Sequence, residues 1–268
     1  ELKADFAARW PDFDVALLES DPAVKLLEGA AYRELILRAR VNEAARAVML
    51  AFAISSDLDH LGALYKTARK VIEPANPETG APAVYESDEE FRRRIQLAPE
   101  ALSTAGPPGS YLYHTLSAHP AVRDANVFQP EPGSVHVLPL VRTGDGIPSE
   151  EVLAAIRDRL LQETIKPLTD TLTVRAPERV DFTVDATLIL PHGPDATTVK
   201  QAAEAKLAAY LAARHKVGWT VYRSGISAAL SVPAVETVLL ASPAGDVIVG
   251  PDQVAWATDV TVSVEVAV

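Results

Sequence analysis

Histidine is the side chain best suited to proton transfer or metal binding near neutral pH, and this 268-residue chain has six. Their spacing favours neither use. His60 falls in a helical pattern, His136 in a strand pattern, His192 in a turn and His215 just past a helix. His114 and His119 are the near pair, but a five-residue step puts them on different sides of a helix, so they read as helix-end hydrogen-bonding groups. Asp57, Asp59 and His60 are ligand types, yet they crowd a first helical turn, where acids are favoured by exposed amides. Asp181 and Asp185 alternate with apolar residues and belong to the wet side of a strand. There is no Gly-x-Gly-x-x-Gly, no phosphate loop, no His-Glu-x-x-His and no Gly-x-Ser-x-Gly. With no cysteine, disulfides and thiolate metal sites are excluded. No catalytic residue, cofactor or metal is therefore expected, which leaves a protein whose work is shape.

Bulk properties agree. An apolar fraction of 48% in 268 residues supports more than one buried core. A net charge of −11 argues against a nucleic-acid partner, because phosphate binding needs clustered Lys and Arg. The longest apolar run, Ala47 to Ile54, is far short of the roughly 20 residues of a membrane span, so none is expected. From Glu1 onward no basic start followed by an apolar core marks a signal sequence.

The elements that would position any surface are set by periodicity. Trp10, Phe13, Leu17 and Leu18 sit among acids in a segment too broken for a core of its own, and Ser20 or Asp21 can cap the next helix. From Ala23 to about Phe52 a helix is expected. One broad side holds Leu26, Leu27, Ala30, Ala31, Leu37, Val41, Ala44, Ala45, Val48, Met49 and Phe52. Lys25, Glu28, Arg33, Arg40, Glu43 and Arg46 lie opposite. Glu34 and Arg38 project into the apolar side at i, i+4 spacing, where they pair with each other or set register with a neighbouring helix. Ser56, with Asp59 three residues on, caps a shorter helix. Pro74, Pro77, Gly80 and Pro82 make 73–86 a linker.

Ser87 with Glu90 has the form of a capping box, and Glu89 and Glu90 stand four residues ahead of Arg93 and Arg94 as helix ion pairs. A second helix carries Tyr111, Leu112, His114 and Leu116 up to Pro120. Strands are expected at 122–128, 134–141 and 171–174, with a helix opening at Ser149. Val180 to Leu190 alternates clearly, then come helices at 196–213 and 223–230 and strands at 236–241 and 260–266. In both modules a short helix runs into Pro-Ala-Val, at 120–122 and 233–235, and then into strand, turn and strand, which suggests a duplicated unit. The fold class is α+β: a helical region and linker at 1–83, a middle α+β domain at 84–178 and a C-terminal α+β domain at 179–268.

Three motifs carry a family resemblance. The segment Asp88-Glu89-Glu90-Phe91-Arg92-Arg93-Arg94-Ile95, the loop Ser103-Thr104-Ala105-Gly106-Pro107 and the turn Pro120-Ala121-Val122-Arg123-Asp124-Ala125 together resemble the baseplate J-like family, wedge proteins of contractile phage tails and R-type pyocin-like particles. The likeness runs from Ala23 onward. It implies a structural subunit in the baseplate of a virion or tail-like particle, assembled in the bacterial host cytoplasm. Its implied partners are a second copy of itself, another wedge subunit, and the sheath-initiator and hub or tube proteins. N-terminal helices would share a bundle, and C-terminal domains would form a ring around the hub. On helical position, Leu27, Ala31, Glu34, Arg38, Val41, Ala45, Val48 and Phe52 are the expected bundle contacts, with rigid modules swinging about 73–86 on triggering. The rival readings are an α+β enzyme or small-ligand domain with an unrecognised site, and an adaptor that holds a basic partner on its acidic surface.

Overall fold

A computed structural model describes residues 2–9, 22–103, 106–193 and 195–267. Trp10, Phe13, Leu17, Leu18, the proposed cap at Ser20 or Asp21, and Thr104 and Ala105 of the family-like loop lie outside the described residues. The chain forms two compact units, Glu1–Ala68 and Arg69–Val268.

The first unit is helical. It holds α1 (Leu2–Arg9), α2 (Pro22–Ala47) and α3 (Ser55–Leu64). Helix α2 ends earlier than its periodicity suggests, at Ala47 instead of about Phe52. Tight bonds close it, from Met49 N to Arg46 O at 3.0 Å and from Phe52 N to Met49 O at 2.9 Å, and Ala53 is buried just beyond. No glycine or proline marks this stop. Ser56 does not cap α3: the cap position is Ile54, without a side-chain bond, and Ser55 takes the left-handed conformation at φ +49.

The second unit opens with a strap. Strands β1 (Val71–Glu73) and β2 (Val84–Tyr85) pair antiparallel, so the stretch expected as a linker is a hairpin. Helix α4 (Asp88–Leu97) comes next, then a 3-10 turn at Glu100–Leu102, and α5 (Pro108–Ala118). The middle sheet has β3 (Val122–Phe128), β4 (Ser134–Val141) and β5 (Thr171–Val174). β4 is central, antiparallel to β3 and parallel to β5, with α6 (Glu150–Leu160) making the crossover. Tyr111, Val137, Ile156 and Leu160 lie in its core.

The C-terminal sheet puts β6 (Glu178–Leu190) between β7 (Thr237–Ser242) and β8 (Gln253–Val266), antiparallel to the first and parallel to the second. Its alternation holds: Val184, Ala186, Leu188 and Leu190 are buried beneath α7 (Ala196–Arg214) and α8 (Arg223–Leu230). Asp195 caps α7, accepting from Thr198 N at 3.0 Å. The two sheets share a mixed three-stranded form but not a connection, because β3 and β4 make a hairpin whereas β7 and β8 flank β6. β8 also starts at Gln253, seven residues before the alternation becomes legible, because Val254 and Ala255 are both buried.

The modules are joined by a buried apolar seam of Leu138, Leu140, Val217 and Val254. Ion pairs flank it, Arg175–Asp252 at 2.8 Å and Arg179–Asp145 at 2.6 Å. Gly146, at φ +82, is required here: an added Cβ would stand 2.7 Å from Leu140 Cδ1 and 2.8 Å from His215 Cε1.

The strap is held by buried charge. Glu86, whose side chain is fully buried, binds the Arg94 guanidinium and accepts from Lys70 N at 2.8 Å. Lys70 Nζ donates to Leu116 O at 2.7 Å and Val122 O at 3.2 Å, and lies 4.0 Å from the other Glu86 oxygen. Burial pushes Lys70 down to about 8, while Glu86 pulls it the other way. Arg69 pairs with Asp88 at 2.7 Å and lies over the Phe91 ring at 4.8 Å.

Ser87 does cap α4, accepting from Glu90 N at 3.3 Å, but the Glu90 carboxylate does not reach back to complete the box. Arg142 takes it instead, with two bonds of 2.7 and 2.8 Å. Nor do the helix ion pairs form as spaced: Arg93 goes to Asp124 at 2.7 Å and Arg94 to Glu86. A buried guanidinium gains more from a charge-assisted bond inside the fold than the few tenths of a kcal/mol of an exposed helix pair. Replacing Glu86 by Gln leaves Arg94 and Lys70 buried together without their anion. The expected loss is about 3–5 kcal/mol, measured by urea unfolding; a midpoint equal to that of the wild type would contradict the clamp.

Candidate assembly interface

Helix α2 carries an exposed apolar surface. Leu37 is 65% exposed and Val41 68%, and beyond the helix Val48 is 72% and Phe52 55% exposed. Ala31, Arg38 and Ala45 are exposed as well, while Leu27 and Glu34 are half-buried. The expected contact residues thus divide: Leu27, Ala31, Glu34, Arg38, Val41 and Ala45 lie on the helix, and Val48 and Phe52 on the turn after it. Arg38 Nη2 donates to Glu34 Oε1 at 2.5 Å, so the in-helix pair forms. Arg46 stacks on Phe52 at 5.5 Å, which ties the turn to the helix end.

Sequence reading missed Tyr32, Leu35 and Ile36. They are exposed too, Tyr32 and Ile36 on the side opposite the assigned face and Leu35 at its edge. Placed at 100° steps, the large apolar residues surround α2 instead of forming one stripe, and a single-stripe template discards the others. Exposed apolar residues therefore stand between the charges on more than one side of α2.

The residues considered for chemistry are dispersed. Among the described residues no group of three His, Asp or Glu is placed to hold a metal. His119 ends α5, accepting from Ala121 N at its Nδ1 at 3.1 Å, as its place before Pro120 suggests. A cavity of about 310 Å³ lies between the middle and C-terminal modules, lined by Phe182, Leu211, Trp256 and Val260 with Arg123 and His215. Two of its polar groups join the modules: Arg123 donates to Ala212 O at 2.8 Å, and His215 Nε2 lies 3.1 Å from Asp145 O. Burial is the main cause that lowers the His215 pKa.

His114 is the most perturbed histidine. It is buried on α5, with Tyr113 edge-on at 5.3 Å and Arg159 Nη2 3.5 Å from Nδ1. Burial first, and the Arg159 charge second, lower its pKa to about 4.

The described chain thus has three sequential parts: a helical region with an exposed apolar surface and two joined α+β modules. Comparison with known proteins gives the family. The Baseplate J-like N-terminal domain matches residues 19–76, the Baseplate J-like central domain 103–176 and the Baseplate J-like C-terminal domain 182–263. The chain is 46% identical over 244 residues to Baseplate protein J of Escherichia phage P2, covering 90% of this chain and 81% of the phage protein. It belongs to the baseplate J-like family. Among solved structures it is similar to a chain of the anti-feeding prophage (AFP) baseplate, with a TM-score of 0.44 and 16% identity, over 66% of this chain and 44% of that one.

His114 generates one expectation. The folded protein holds it neutral down to about pH 4, whereas the unfolded chain protonates it near 6.5. Between those values the unfolded state binds more protons, so this contribution is complete above pH 6.5 and is lost as pH falls through 4. In chemical denaturation from pH 7 to 4, His114→Gln should flatten the acid loss of stability; a slope unchanged from the wild type would contradict it.

Proposed function

We propose that this chain is a structural wedge subunit in the baseplate of a contractile tail or tail-like injection particle. The observation that carries the reading is the water-exposed apolar surface of α2, in a chain of the baseplate J-like family. Burying one Leu or Val side chain stabilises by roughly 1.5–3 kcal/mol, so Leu37, Val41 and Val48 together can offset much of the cost of association.

In this reading Leu27, Ala31, Val41, Ala45, Val48 and Phe52 pack against helices of a second copy and of another wedge subunit, and the Glu34–Arg38 pair fixes register. The C-terminal modules meet neighbours in a ring around the hub or tube proteins, and the sheath initiator docks on the finished wedge. Assembly takes place in the host cytoplasm. The work is mechanical, not catalytic: permanent interfaces of the size typical of obligate complexes hold one state until triggering exchanges contacts.

Val41→Glu separates folding from assembly. At an exposed position the isolated chain should keep its stability within about 0.5 kcal/mol in thermal unfolding. The same variant should lose co-purification with the adjacent wedge subunit on co-expression. A variant that is destabilised alone yet assembles normally would overturn the reading.

A further inference from the structure

The end of α7 builds a cationic corner beside the seam between the modules, where Lys216 and Trp219 line a cleft with Leu112 and Asp124. Arg214 lies over three rings, Tyr210 at 5.8 Å, Trp219 at 5.4 Å and Tyr222 at 5.3 Å. Lys216 lies over Trp219 at 4.6 Å. Both cations are half-buried, while Trp219 and Tyr222 are each 44% exposed. Among the described residues neither cation has an ion pair within the chain. Arg, Trp and Tyr are the side chains in which binding energy concentrates at protein interfaces, and Arg214, Trp219 and Tyr222 stand together here.

The matching surface is on the same module. The side of the C-terminal sheet not covered by α7 and α8 carries Asp185, Asp259 and Glu265, with Asp259 and Glu265 registered beside Thr183 and Ile189. Cross-strand hydroxyl pairs tie its strands together, Thr183 with Ser242 at 2.9 Å and Thr187 with Ser263 at 2.8 Å. Leu239 adds an exposed apolar contact. The cationic corner belongs to the helix layer and the acidic face to the open side of the sheet, so one molecule cannot close the contact on itself.

We infer that the Arg214–Lys216–Trp219 corner of one copy docks on the acidic, hydroxyl-rich sheet face of a second copy. The contact joins different surfaces on its two partners, the head-to-tail kind that generates rings when the rotation closes. It rests on the ring of the proposed function and supplies residues for it. Copies of net charge −11 repel overall, so local complementarity must hold them, and the contact weakens with salt.

Sedimentation velocity of the full chain at low and high salt tests it. The wild type should show a salt-sensitive association step, and Arg214→Glu with Lys216→Glu should weaken that step about tenfold or more. Asp185→Lys with Asp259→Lys should do the same, and mixing the two variants should restore it, because each supplies the surface the other has lost. Thermal unfolding of both confirms that they fold. A wild type without the step, a step unmoved by either reversal, or mixing without recovery would overturn the contact. Association through α2 is apolar and salt-insensitive, and it is removed by Val41→Glu, so failure of the bundle reading is separately visible.

Discussion

Water against the apolar side chains of α2 is the constraint on which the rest depends. Globular helices turn one stripe inward and leave charges outside, but α2 presents Tyr32, Leu35, Leu37 and Val41 to solvent around its circumference. Large exposed apolar patches mark interaction sites in soluble proteins, and the proposed bundle would cover this one. The ion pairs along it, Lys25–Glu28 at 2.9 Å and Glu34–Arg38 at 2.5 Å, link side chains close in sequence and leave the apolar surface open.

The second unit solves the opposite problem. Its modules are closed on each other by two sheets, an apolar seam and charge pairs beside it. The buried Glu86–Arg94–Lys70 cluster stands near the start of this unit in the chain. Buried ions are a poor source of stability against apolar replacements, but they are intolerant of displacement, since moving one strands the others. The hairpin is thereby held to α4 and to the end of α5 by bonds that cannot slip by one residue without loss.

Much of this was legible in the sequence where local signals dominate. Strands β3, β4 and β5 and helix α8 have the expected bounds, and the alternation of β6 separates its buried and wet sides correctly. The features that were not legible depended on partners far along the chain. The arginines of α4 look like helix-pair residues until Asp124 and Glu86 are brought beside them by folding. The strap looks like a linker because its strands are only three and two residues long and are separated by Pro74, Pro77 and Pro82. The end of α2 has no breaker residue, and its all-round exposure is hidden from any one-face template. The Arg214–Trp219 corner carries no motif, only aromatic residues spaced for chain ends that meet in space.

Amide hydrogen exchange of α2, in the isolated chain and in the proposed complex with another wedge subunit, tests the central claim most directly. Without partner packing, a helix this exposed opens readily, so amides 22–47 should exchange quickly in the isolated chain and slow by orders of magnitude in the complex. Equal protection in both states would mean that α2 needs no other chain to shelter it, and would contradict the account.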